Sequence, residues 1–499
     1  MLTKIIIILF AIYSSVFAQR RETILTYDKY MERIESLIPE MKLTASIESN
    51  AYNDLIRAKS SGDVKFDLQA GAIGTQNYFE QYNVEQYIFL PQSTFRYNGF
   101  RIGAGFSGLI PYSGTRWAVK IQHDGYFGDF DSGNISFPFP PIPGTTWRFP
   151  SLRTNNFKYY SPSIKIEITQ PILRDFFGKL DRYPIKDAEY QLTIAKLKRM
   201  IDDNSVLNSY RKLYYQWIMT RKLVSFYNDM IKGAKDFENR AKRGYTNGVI
   251  DNDSYQNAIR QTLKYIEARD EAEIVLKKVL RNIRFFIPET NTIPSERDWN
   301  NTLKNSMNAK IETVPFLESI QGQMAHQLKL RAEYGMTIIK NNSMPDLSIV
   351  GNLSLSALDD NGFFNSFASM TNLNYFVGLM FSYPIGGRDA KAKMMDAYAS
   401  LNAVSADYER VNRDYEIQIG IYYDEFQSYK KMLDIKKREI NAIASKINTQ
   451  NEKFKQGRIP IDEIINSKLE LAKARAETLN LEYSIIRTVM DYNSLVMME

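Results

Sequence analysis

From Arg388 to Gln456 the chain runs 69 residues without a proline and with a single glycine, Gly420. Proline ends a helix by removing a donor and crowding the preceding turn, so this stretch is free to form one helix about 100 Å long. Its apolar residues follow that plan. Met394, Ala397, Leu401, Val404, Tyr408, Val411, Tyr415, Ile419, Tyr422, Phe426, Tyr429 and Leu433 succeed one another at steps of three and four with one slip, the seam of a coiled coil. The pattern halts at Gly457 and Pro460 and resumes through Ile465, Leu469, Ala472, Ala476, Leu479, Tyr483, Ile486 and Met490. Gly457 suits the left-handed position that ends a helix, and Pro460 cannot extend one. Asp462 and Glu463 place negative charge in the first turn of the next helix. Two long helices joined by so short a turn make an antiparallel hairpin.

The same plan recurs upstream. Pro171 stands 73 residues before Gly244, and Pro384 stands 73 residues before Gly457. On that register Ile172 aligns with Ile385, Tyr210 with Tyr423, Asn228 with Asn441, Lys242 with Lys455 and Ser254 with Ser467. Identities are few, so equal spacing of the punctuating residues is what argues for a tandem duplication. The register predicts a second reversal at Gly244.

Just before each proline the apolar period drops to two. In "NLNYFVGLMFSYP" Leu373, Tyr375, Val377, Leu379, Phe381 and Tyr383 share one face. In "DLSIVGNLSLSA" Leu347, Ile349, Leu353 and Leu355 oppose Ser348, Asn352, Ser354 and Ser356. The first half matches, with Ile164, Ile166 and Ile168 against Lys165, Glu167 and Thr169, and Val64, Phe66 and Leu68 against Lys65, Asp67 and Gln69. Such alternation, with aromatics such as Phe363, Phe364 and Phe367 clustered nearby, fits strands of an outer-membrane barrel. A half-buried strand of a soluble sandwich alternates in the same way. Number separates the two: four strands per chain cannot bury a face alone. The interval around residues 74–160 is about 70 residues longer than its counterpart and holds "FRIGAGFSG", "RWAVKIQH" and "FPFPPIPGTTWRFP", read as extra strand and exposed loop.

The amino terminus argues for export. Lys4 precedes the apolar run "IIIILFAIY", and Val16 and Ala18 occupy the −3 and −1 positions of a cleavage site, so residues 1–18 read as a signal peptide. The run is too short for a membrane span, and no later stretch approaches about 20 apolar residues. The chain has no cysteine, which excludes disulfides, thiolate metal sites and cysteine nucleophiles together. Its net charge of +7 is diluted over 121 charged residues and gives no argument for nucleic acid. His123 and His326 are 203 residues apart, so neither a zinc site nor a histidine triad is expected, and no catalytic constellation, cofactor site or metal site is read.

With these units laid out, the chain resembles the TolC-like outer membrane efflux protein family. "TQPILRDFFGK" and "SYPIGGRDAKAK" are similar to that family's strand-to-helix entries, and "KFKQGRIPIDEIINSKLELAKARAETLNLEYSIIRTVMDYNSL" to its C-terminal helix signature. The resemblance implies a mainly α fold with a membrane β-barrel part. Long antiparallel coiled-coil hairpins sit in two tandem repeats, and four β-strands per protomer contribute to a trimeric twelve-stranded barrel. The first repeat then spans 19–283, with strands about 63–73 and 161–170, the insertion about 74–160 and a hairpin at 172–283. The second spans 284–499, with helices about 298–343, strands about 346–357 and 373–383, and a hairpin at 388–497.

In function the resemblance implies a non-enzymatic exit duct in the outer membrane, with a large periplasmic helical portion. It would serve an efflux pump or type I secretion system as a homotrimer, beside a periplasmic adaptor and an inner-membrane transporter. Gly244, Tyr245, Thr246, Gly457, Arg458 and Ile459 match the tips where adaptors dock. Glu463 and Asn466, six and nine residues past Gly457, match the acidic pair that rings the family's tunnel entrance, and Asp253 holds the second offset from Gly244. Asn466 departs from the pair by being neutral. The rival reading is a secreted structural or adhesive coiled-coil protein with a surface β domain, which membrane partition of a heat-modifiable trimer would discriminate.

Overall fold

The structure, a computed structural model, describes residues 23–79, 83–84, 88–89, 93–131, 135–138, 146–149, 153–289, 291–456 and 458–497. The expected signal peptide at 1–18 and the glycine Gly457 lie outside the described residues. In chain order, β1 (Thr23–Leu25) leads into helices α1 (Tyr27–Leu37) and α2 (Pro39–Lys59). Then come β2 (Lys65–Phe79), β3 (Asn83–Val84), β4 (Ile88–Phe89), β5 (Ser93–Ile110), β6 (Thr115–Asp131), β7 (Ile135–Pro138), β8 (Thr146–Phe149) and β9 (Arg153–Pro171). Helices α3 (Tyr183–Thr246) and α4 (Asn252–Arg284) follow. The rest is β10 (Thr292–Pro294), α5 (Glu296–Asn308), α6 (Ile320–Asn342), β11 (Asp346–Ser356), α7 (Asn365–Ala368), β12 (Asn372–Ser382), α8 (Arg388–Lys455) and α9 (Ile461–Leu495). No helix among the described residues is long and apolar enough to cross a membrane.

The chain divides into two compact units. The first draws on Met1–Asn50, Thr193–Leu328 and Ala406–Glu499. Within it the coiled-coil seam of α8 is buried at Tyr415, Ile419, Phe426 and Leu433, with Tyr408, Val411, Tyr422 and Tyr429 half-buried between them. These residues pack on Ile485, Val489 and Tyr492 of α9. The opposite side of α9 presents Ile465 and Leu469 to Met230 and Ala234 of α3. A helix pressed from two sides needs a wider apolar stripe than one pressed from a single side. That is why Ile464 and Ile485 are buried beside the seam residues Ile465 and Ile486. Lys446 reaches Glu470 at 3.2 Å and Lys436 reaches Glu477 at 2.7 Å, so α8 and α9 run antiparallel from their shared turn.

A second cluster in this unit gathers around Tyr214, which is fully buried. Its hydroxyl lies 2.8 Å from the Asp298 carboxylate and 2.9 Å from the Leu25 carbonyl, and accepts the Ser295 N–H at 3.2 Å. Burial and the Asp298 carboxylate both push this phenol far above its ordinary range, so it stays a neutral donor. Strands β1 and β10 pair in parallel beside it, Thr23 with Thr292 through Leu25 with Pro294. One hydroxyl thus fastens the first described residues to the connector between the chain's halves.

The second unit draws on Ala51–Leu192 and Lys329–Ser405. Its main sheet has six strands in the order β12-β11-β9-β6-β5-β2, every neighbouring pair antiparallel. The sheet thus holds six strands, where the resemblance implied four per chain. Within the segment at 74–160, β3, β4, β7 and β8 form a separate small sheet, while β5 and β6 join the main one. The physical reason is pairing. The 18 residues of β5 and 17 of β6 have donors and acceptors along their full length, and they find them in β2 and β9.

Candidate functional site

Two helix reversals and one sheet face hold the residues of functional interest. At the first reversal α3 continues through Gly244 and Tyr245 and ends at Thr246. The turn expected at Gly244 therefore falls later, at Gly248, whose φ of +67° lies in the left-handed region that glycine tolerates. Gly244 contributes its carbonyl, which accepts the N–H of Val249 at 2.8 Å and of Ile250 at 3.3 Å. The Tyr245 ring stacks on Tyr255 with centroids 5.5 Å apart, and the Thr246 hydroxyl donates to the Lys242 carbonyl at 2.8 Å. Asp251 caps α4 by accepting the Ser254 N–H at 2.8 Å, and hydrogen bonding from Ser254 holds its carboxyl below the usual range. Asp253 follows in the first turn, exposed.

At the second reversal the Arg458 N–H donates to the Lys453 carbonyl at 2.9 Å, Ile459 is half-buried, and Pro460 enters α9 in an extended conformation. Glu463 and Asn466 are both exposed and three apart, while Ile464, Ile465 and Ser467 turn inward. They share the outward face of α9. Among the described residues no hydrogen bond or ion pair joins Asp253 to either of them. Asp462, beside Glu463, is half-buried. Burial pushes its carboxyl up, against the opposing pull of Arg240 on α3. Gly248 and Asp251 are the turn residues that sequence reasoning missed, although Asn247-Gly248 is a turn signal and an Asp before a helix is a capping signal.

The sheet face is two-sided by register. Leu353 pairs with Tyr375 on one flank and Ile166 on the other, and Leu355 pairs likewise with Leu373 and Ile164, so one face is apolar. Tyr375 and Val377 are 77% and 75% exposed, so nothing among the described residues covers this part of the face. The other face carries Ser348, Asn352, Ser354, Lys165 and Glu167, with Val350, Phe376 and Met380 as apolar exceptions. At one end of the sheet the β11–β12 connection folds over His123. The His123 Nε2 lies 3.0 Å from both the Phe363 carbonyl and the Ser366 hydroxyl, and its ring sits 4.0 Å from that of Phe363. This histidine is a packing residue, and no acidic or histidine cluster among the described residues could hold a metal ion.

No family model matches the chain, and no curated protein matches it in sequence. Solved structures match it throughout. The CmeC outer membrane channel of Campylobacter jejuni is 12% identical over 94% of this chain and 85% of its own, with a TM-score of 0.60. The outer membrane protein VceC of Vibrio cholerae is 11% identical over 93% and 95%, at 0.57. The MtrE outer membrane channel of Neisseria gonorrhoeae is 10% identical over 94% and 88%, at 0.59. The chain has the TolC-like outer-membrane channel fold.

In this TolC-like fold the two reversals belong to the first unit and the six-stranded sheet to the second. The hydrogen bonds described at the first reversal are all short-range, so it should respond locally to a change in its turn. A side chain at 248 would meet open space, and only the backbone conformation resists it. Gly248→Ala is expected to loosen the first turn by about 1 kcal/mol. Hydrogen exchange should then speed up roughly fivefold at the Val249 and Ile250 amides, with the thermal midpoint unmoved. Unchanged exchange would mean the left-handed residue does not hold the turn.

Proposed function

We propose that this protein is the outer-membrane channel of a tripartite efflux pump or type I secretion system, passing its substrates passively. The observation that carries the reading is the uncovered apolar face of a sheet whose two edge strands, β2 and β12, have no second neighbour among the described residues. Lipid can cover the face but cannot satisfy an open backbone edge, so the sheet must close with other copies. Three copies closing one barrel are the arrangement this TolC-like fold supports, in the two repeats 19–283 and 284–499. A secreted adhesive protein would need the face covered within one chain, and Tyr375 and Val377 are bare. The test is membrane assembly. Val377→Arg or Leu379→Arg should cost about 2–4 kcal/mol near the midplane and deplete heat-modifiable trimers from the outer-membrane fraction. A normal trimer yield in both variants would contradict the lipid-facing assignment.

The reversals are the proposed periplasmic tips, where Tyr245, Thr246, Arg458 and Ile459, with Gly244 and Gly457, would meet a periplasmic adaptor that links the duct to an inner-membrane transporter. The exposed Glu463 and Asn466, with Asp253 near the other turn, would line the entrance. Threefold symmetry would bring three Glu463 carboxylates together, and their mutual repulsion would favour cations in the mouth. Glu463→Ala is expected to keep the trimer while weakening cation selectivity in planar bilayers. Tyr245→Glu with Arg458→Glu is expected to keep the trimer while abolishing crosslinks to the adaptor. Wild-type selectivity in the first variant would reduce Glu463 to a helix-terminal charge, and wild-type crosslinking in the second would remove the docking role.

A further inference from the structure

The β5–β6 hairpin lies between β2 and β9 in the sheet. Its register puts it in the same two-faced wall as the other strands. Phe66 pairs with Phe106, Phe106 with Val119, Val119 with Ile166, Ile166 with Leu353 and Leu353 with Tyr375. One apolar row therefore crosses all six strands. The next row repeats it through Leu68, Ala104, Ile121, Ile164, Leu355 and Leu373. The hairpin's other face is polar where its neighbours' is polar: Lys120 pairs with Glu167 of β9 at 3.1 Å, and Arg101 with Asp124 at 2.9 Å.

The hairpin is also fixed at its turn. Gly178, in the segment between β9 and α3, has φ +61°, and a side chain there would come within 1.9 Å of the Pro111 carbonyl oxygen. The β5–β6 turn therefore sits directly against the strand-to-helix entry, with Arg116 paired to Asp181 at 3.0 Å beside it. Expelling the hairpin from the wall would break its ladders with β2 and β9 and undo this contact.

We infer that the assembled barrel has eighteen strands, six from each of three copies, with β12 of one copy pairing against β2 of the next. The inference rests on the trimeric reading above. Strand directions permit the closure, because an even number of alternating strands leaves β2 and β12 running oppositely. Barrel diameter grows roughly in proportion to strand number, so the wall would be about 1.5-fold wider than one of twelve strands. The extra hairpin adds wall without adding a helix, since β5 and β6 are joined by a tight turn at Pro111–Gly114.

Cryo-electron microscopy of the detergent-extracted full-length protein, at a resolution that separates strands, should count eighteen around a threefold axis. A threefold particle with twelve wall strands and the hairpin outside overturns this inference and leaves the trimer standing. A particle without threefold symmetry overturns the trimeric reading itself. The cysteine-free chain permits a second measurement: Val119→Cys with Ile166→Cys should close a disulfide within each chain of the membrane-assembled trimer. Assembled trimers in which that pair stays reduced would also overturn the inference.

Discussion

An apolar sheet face with open edges is the constraint from which the rest of this molecule follows. Every backbone group of a strand needs a partner, and every large apolar face needs cover. The second unit supplies neither completely. Tyr375, Val377 and Leu379 stand bare on one side of β12, while β2 and β12 each have a free edge among the described residues. Water is a poor solvent for the face, and lipid is a poor solvent for the edge. Only a closed sheet in a bilayer satisfies both, so the proposed assembly and location are one argument.

The first unit solves a different problem by ordinary packing. α9 is held between α8 on one side, through Ile485 and Val489, and α3 on the other, through Ile465 and Leu469. Full burial of a residue such as Phe426 or Leu433 contributes about 1.5–3 kcal/mol, whereas the solvent-accessible pairs Lys446–Glu470 and Lys436–Glu477 contribute at most about 1 kcal/mol each. The apolar stripes therefore hold the helices together, and the ion pairs select their register. Such packing leaves the outward face of α9 free, and that face carries Glu463 and Asn466.

Long periodic elements were legible in the sequence because each residue repeats the message of its neighbours. The α8 seam from Met394 to Leu433 and the apolar face of β12 both stand where their spacing placed them. The β5–β6 hairpin was harder to read. Gly103 and Gly105 occupy its polar face and Ala104 its apolar one, so side-chain alternation is weak although backbone pairing is complete. The first turn was displaced from its expected residue for another reason. Equal spacing from the prolines pointed to Gly244, but the residue that takes the left-handed conformation is Gly248, within an Asn-Gly pair. Tertiary anchors such as the Tyr214 hydroxyl and the Gly178–Pro111 contact join residues far apart in sequence, and no local pattern announces them.

One face of the sheet is proposed to meet lipid and the other water. Single cysteines placed in turn along β12 of the cysteine-free chain, from 373 to 381, and treated in intact outer membranes with a membrane-impermeant maleimide, test it most directly. Alternation is expected, with 373, 375, 377, 379 and 381 protected and the positions between them labelled. Uniform labelling, or protection of the even positions instead, would contradict it.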